Sequence, residues 1–184
     1  MNQLAIFLKD YYNKAIELKN KFKSIEDKEW NSITVLVELN VQIGHVFNVL
    51  NHNEYVDEKG RTWITNMGDE LSDIILQLSY LNHLENNTIS LDNYQNYNYK
   101  DLDGISILFG QLSEALLEKY GYRFTKSRNG FNNIDEFIND RITKLLLICF
   151  NYAQTNNIDL NKEFNIMYED ASKFIEKKLN NGNN

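Results

Sequence analysis

Leu4, Phe7, Leu8, Tyr11, Ala15, Leu18 and Phe22 recur three or four residues apart, with mostly polar residues between them. That period lines one face of an α-helix, so it predicts a helix over residues 3–23. A second apolar series, Val35, Leu36, Leu39, Ile43, Val46, Phe47 and Leu50, predicts a helix over 31–52 with Ser32 as its cap. The same pattern places a third helix at 63–86, a fourth at about 104–120, a fifth at about 134–154 and a sixth at about 160–180. Polar stretches separate them: "KSIEDKEW", "NHNEYVDEKGRT", the linker-like "ENNTISLDNYQNYNYKDLDG", and "YGYRFTKSRNGFNN". The chain has no proline and only 8 glycines, so little interrupts long helices. The expected fold is all-α, a helical bundle forming one domain over 1–184.

The order of elements repeats. "SITVLVELNVQIGHV", a polar loop and "DELSDIILQLSYLNHLENNTISL" form one set. "GISILFGQLSEALLEKY", a polar loop and "DEFINDRITKLLLICFNYAQTNNIDL" form the other. Each runs from an apolar helix with an acid, through a loop, into a helix with an acidic start and then an Asn-rich turn. Two related helical hairpins, about 30–91 and 104–160, would share one core between outer helices.

Charge narrows the function classes. The net charge is −7, and the basic residues are scattered apart from Arg123, Lys126 and Arg128. Nucleic-acid binding needs a patch that neutralises phosphates, so it is not expected. Cys149 is the single cysteine, in "LLLICF", and reads as a small buried hydrophobe. The N-terminal "MNQLAIFLKDYYNKA" lacks a signal-peptide pattern, and no stretch reads as a bilayer span. The expectation is a soluble, cytoplasmic protein without a membrane partner.

Two polar stripes carry the chemistry. Glu38, Gln42 and His45 share one side of the second helix, and Glu70, Asp73 and Gln77 share one side of the third. If the helices pack antiparallel, the stripes face each other. Clustered carboxylates repel and raise one another's pKa, and a divalent cation relieves that penalty. Mg²⁺ takes oxygen ligands and bridges to substrate phosphates. Glu70 and Asp73 also have a simpler explanation, since acids suit the positive end of a helix dipole.

"GDELSDIILQLSYL" resembles the second motif, Glu-x-x-Asp, of the MazG-like all-α nucleoside triphosphate pyrophosphohydrolases, a group related to helical dCTP pyrophosphatases and dimeric dUTPases. Glu70 and Asp73 match that motif, and Glu38 in "VLVELNVQIGH" matches the first position of the family's Glu-x-x-Glu motif. Val41 takes that motif's second position and cannot bind metal; Gln42 beside it offers only a neutral oxygen. In the second half, Gln111 and Glu114 fall at the first-motif spacing, while Arg141 and Lys144 stand where the second motif's acids align. A one-turn shift brings Glu136 and Asp140 there instead. The resemblance implies hydrolysis of a nucleoside triphosphate to the monophosphate and pyrophosphate, with Mg²⁺ (or Mn²⁺) held by Glu38, Glu70 and Asp73. One of these carboxylates would also act as general base, and Glu114 is a candidate fourth carboxylate. A homodimer stays open as an assembly.

The competing expectation is a non-catalytic helical binding or regulatory protein that kept the scaffold and lost part of the site. His45, Trp30, Trp63, Lys126 and Arg128 are candidate contacts to base or phosphate, and each also fits an ordinary surface, core or loop role.

Overall fold

The computed structural model describes residues 2–26, 29–51, 62–87, 102–123 and 132–181. Among them the chain forms six α-helices and no strand: α1 (Asn2–Phe22), α2 (Ser32–Asn51), α3 (Trp63–Leu84), α4 (Asp103–Lys119), α5 (Ile134–Thr155) and α6 (Leu160–Asn181). Their ends lie within two residues of those the apolar period predicts. The fold is an all-α helical bundle.

Polar side chains set the helix ends. Asn31, not Ser32, caps α2: its Oδ1 accepts from the amides of Ile33 and Thr34 at 3.0 and 3.1 Å. Thr34 Oγ1 returns the contact by accepting from the Asn31 amide at 2.8 Å, a reciprocal pair that satisfies otherwise orphaned donors. Thr62 caps α3 and Asn133 caps α5 in the same way. After α3 and α5 the chain turns through a left-handed asparagine, Asn86 at φ 54° and Asn157 at φ 57°. The next amide then reaches back to a carbonyl five residues earlier, Asn87 to Asn82 at 3.1 Å and Ile158 to Ala153 at 2.8 Å. Both Asn-rich turns are therefore helix stops of one design.

Facing pairs fix the topology. His45 lies against Glu70 and Ser32 against Glu85, so α2 and α3 run antiparallel. Helix α4 packs on α5 and α2, while α3 touches α1, α2, α5 and α6. All six helices contribute to one buried cluster that includes Tyr11, Leu39, Leu78, Leu112, Ile148 and Phe164. A fully buried leucine such as Leu78 contributes about 1.5–3 kcal/mol through removal of its apolar surface from water. Cys149 lies in this core, where burial pushes its thiol up to about 12.

One expectation changes. By length and composition α2 is long and apolar enough to cross a membrane. Here its Val35, Leu39, Ile43 and Val46 side is buried against the bundle, and Glu38 lies about a third of the way along it. The missed signal is that α2 holds a single ionisable carboxylate in an otherwise apolar and amide-rich run.

At one end of the bundle a buried carboxylate ties four helices. Glu85 caps α3, and its Oε1 accepts from Ser32 Oγ at 2.5 Å and from Tyr120 Oη at 2.7 Å. Its Oε2 accepts from Lys119 Nζ at 2.7 Å, and the same ammonium reaches Asp135 at 2.6 Å. Burial works against the Lys119 charge, but the carboxylates of Asp135 and Glu85 outweigh it and hold the ammonium above its ordinary value.

Candidate functional site

Glu70 and Asp73 do not begin a helix. Helix α3 starts at Trp63, which puts Glu70 two turns inside it and Asp73 nearly three. The dipole effect fades within the first turn, so these acids need another explanation. Antiparallel packing carries the two polar stripes past each other. Glu38 and Gln42 from α2 meet Asp73 and Gln77 from α3 in one open cavity of about 300 Å³. Its far wall comes from α1 and α6, with Lys19 and Met167 among the lining residues.

The Glu38 carboxylate accepts from Gln42 Nε2 at 2.9 Å, which turns Gln42 Oε1 away from it. That oxygen and Gln77 Oε1 are buried without hydrogen-bond partners. Gln42 is 8% exposed and Gln77 4%. Glu26, also in the cavity wall, leaves one buried carboxylate oxygen in the same condition. The cavity is thus rich in acceptors. Asp73 shows the cost: burial first, then the charges of Asp69, Glu70 and Glu38, push its carboxyl up to about 7 from 3.8. Glu70 takes a different partner, His45 Nδ1, 3.3 Å from its Oε2.

The positive group in this cavity is Lys19, which the polar stripes did not point to. It is 5% exposed, and its Nζ sits 3.5 Å from the centroid of the Trp30 ring. The rings of Tyr80 and Phe22 stand 5.7 and 5.8 Å away. Cation–π attraction and the nearby carboxylates compensate for lost hydration. Burial nevertheless dominates and lowers the ammonium to about 8, against the pull of Glu26, Glu38 and Asp73. A signal was present in the sequence: Lys19 falls four residues after Ala15 and three before Phe22, inside the apolar stripe of the first helix. Trp30, a candidate stacking surface for a base, has one ring face covered by this ammonium.

The second half brings no acid to the cavity. Glu114 pairs with Arg123 Nη1 at 2.8 Å and does not line it. Asp140 is held by Arg141 and by Lys144, the latter at 2.9 Å, and Arg141 lies 4.0 Å over the Phe137 ring. Glu136 sits exposed in the first turn of α5, where Asn133 accepts from its amide. Gln111 is half-buried on α4, outside the cavity wall. Val41 is 42% exposed and points away from the buried stripe. Lys126 and Arg128 lie outside the described residues, as does the side chain of Trp63.

A hard divalent cation asks for oxygen donors in reach of one point. Among the described residues no group of three or more His, Cys, Asp or Glu side chains is gathered tightly enough to hold a metal ion. Glu38 and Asp73 nonetheless reach one cavity, beside the unsatisfied amide oxygens of Gln42 and Gln77. Mg²⁺ commonly takes one or two carboxylates and completes its shell with water and substrate phosphates, so these residues fit it in number and in chemistry. No protein-family model, curated protein or solved structure matches this chain.

Proposed function

We propose that the α2–α3 cavity is the site of a Mg²⁺-dependent nucleoside triphosphate pyrophosphohydrolase. One observation carries this reading. Glu38 and Asp73, on facing helices, open into a single cavity whose walls also hold three buried, unsatisfied acceptor oxygens, from Glu26, Gln42 and Gln77. Glu38 and ionised Asp73 would hold the cation, with Glu70 one turn away; the bound ion would polarise a phosphoryl oxygen and carry phosphate charge. Water attacks the α-phosphorus, pyrophosphate leaves, and a carboxylate of the cavity takes the proton that the water loses. Gln42 fixes the Glu38 carboxylate through its amide. The resemblance of "GDELSDIILQLSYL" to the MazG-like group supports the same chemistry.

A second reading has its own support. Lys19 already supplies a positive charge to the cavity, Val41 offers no ligand, and Glu70 is paired with His45. These features favour a helical binding or regulatory protein on the same scaffold. Pyrophosphate release from a panel of canonical and modified (d)NTPs, with Mg²⁺ or with EDTA, separates the two. We expect release that needs Mg²⁺ and falls to background in Asp73→Ala and Glu38→Gln. No release from any nucleotide would leave the binding protein as the function.

A further inference from the structure

We infer that Lys19 is a built-in counter-ion, which holds the carboxylate cavity against divalent cations and must leave it for one to bind. This inference rests on the reading that Glu38 and Asp73 take such a cation.

The geometry supports it in three ways. Lys19 Nζ lies 3.5 Å from the Trp30 ring centroid, in the same cavity as Glu38 and Asp73. The ammonium has no hydrogen bond or ion pair among the described residues, so cation–π contacts and the general field of the carboxylates hold it. The buried oxygens of Gln42, Gln77 and Glu26, on residues lining the same cavity, remain without donors. An ammonium optimised as a fixed structural partner would donate to some of these acceptors. This one neutralises the cavity while leaving its oxygens free to coordinate.

A divalent ion placed among the same oxygens would share about 300 Å³ with that ammonium. Two cations so close repel more strongly at the protein surface than in bulk water. The lysine stem is long and rotatable, so the ammonium can swing out from the Trp30 face to solvent as the ion enters. Charge in the cavity would then be exchanged, with the metal taking over the role of the ammonium.

The test is Mn²⁺ affinity of the full chain without nucleotide, read by electron paramagnetic resonance. Methionine has nearly the length of lysine and suits an aromatic wall, so Lys19→Met removes the charge with little change of shape. We expect Lys19→Met to bind Mn²⁺ about ten- to a hundredfold tighter than the parent, the scale of one removed like charge at partial screening. Lys19→Arg should bind no tighter than the parent, and adding Glu38→Gln to Lys19→Met should cancel the gain. Equal or weaker Mn²⁺ binding by Lys19→Met overturns the inference, and so does a gain that survives Glu38→Gln. A second measurement keeps the lysine in place. In Trp63→Phe, Mg²⁺ titration should change Trp30 fluorescence as the ammonium leaves the ring. Saturable Mg²⁺ binding with unchanged Trp30 emission overturns the inference. Pyrophosphate release is scored separately: hydrolysis with no Lys19→Met effect removes only the counter-ion role, and a clear effect without hydrolysis removes only the enzyme.

Discussion

Asp73 and Lys19 are charges set where charge is costly, and pH reads out that cost. Burial and three neighbouring carboxylates raise Asp73 to about 7, so between pH 4 and 7 the folded state keeps a proton that the unfolded state has lost. Its contribution to stability is therefore present at low pH and is lost as pH rises through 7. Lys19 is lowered by burial to about 8 from 10.5, so between those values the unfolded state binds more protons and stability rises with pH. Together these groups make the metal-free cavity least comfortable between pH 7 and 8. Denaturant unfolding in EDTA should show Asp73→Asn gaining on the parent by up to about 4 kcal/mol from pH 4 to pH 8. A constant difference over that range would mean that Asp73 titrates at its ordinary value. At this scale the sequence exposed Glu38, Asp73, Gln42 and Gln77, because a polar residue beside an apolar stripe breaks a pattern. Its signal for Lys19 was weaker, because a lysine within an apolar stripe is usually a flexible stem with its charge in water.

Among the helices, closeness of approach decides which substitutions matter. Gly68 in α3 faces α6, and an added Cβ would come within 2.5 Å of Glu163 Cγ and 3.2 Å of Ile158 Cγ2. Glu163 is itself buried, so it has little room to yield. Gly68→Ala gains helix propensity but forces these atoms apart, and overpacking costs about 1–3 kcal/mol. A Cβ added at Gly44 or Gly110 would meet nothing within 4 Å, so alanine there gains propensity without a clash. We expect Gly68→Ala to lower the melting temperature, and Gly44→Ala and Gly110→Ala to raise stability by about 0.5–1 kcal/mol each in chemical denaturation. A Gly68→Ala protein as stable as the parent would show that α6 can slide on α3. Helix number and extent were legible, since the 3.6-residue period persists through long segments without proline. The cap of α2 was not: Asn31 and Ser32 both suit that role, and the choice turns on Glu85, which lies far along the chain and takes the Ser32 hydroxyl.

The whole molecule is joined at one end through Glu85, whose side chain is 1% exposed while that of Lys119 is 27% exposed. Removing the lysine strands a buried carboxylate with only two hydroxyl donors. Replacing the glutamate leaves an ammonium that still reaches Asp135 and some water. Lys119→Met should therefore destabilise more than Glu85→Gln, by about 3 kcal/mol against roughly 1–2, measured as unfolding free energy in urea. The reverse order would mean that Asp135 and solvent, not Glu85, set the state of that ammonium. None of this network could be read from the sequence, because Ser32, Glu85, Tyr120 and Asp135 meet only after α2, α3, α4 and α5 have packed. The matching ends of α3 and α5 were legible, because "ENN" and "TNN" carry the asparagines that tolerate a left-handed turn.

Helix α1 buries Tyr11 against Phe164 of α6, 4.4 Å between ring centroids, and against Phe150 of α5 at 5.9 Å. Those partners lie on helices made long after α1 as the chain leaves the ribosome. Helix α1 must wait, its aromatic face uncovered, through the synthesis of every helix between them. The cavity inherits this delay, since Lys19 is on α1 and Met167 on α6. A nascent chain halted before α6 has Glu38 and Asp73 but no closed wall around them, so whatever the cavity binds, it binds only after translation has finished with α6.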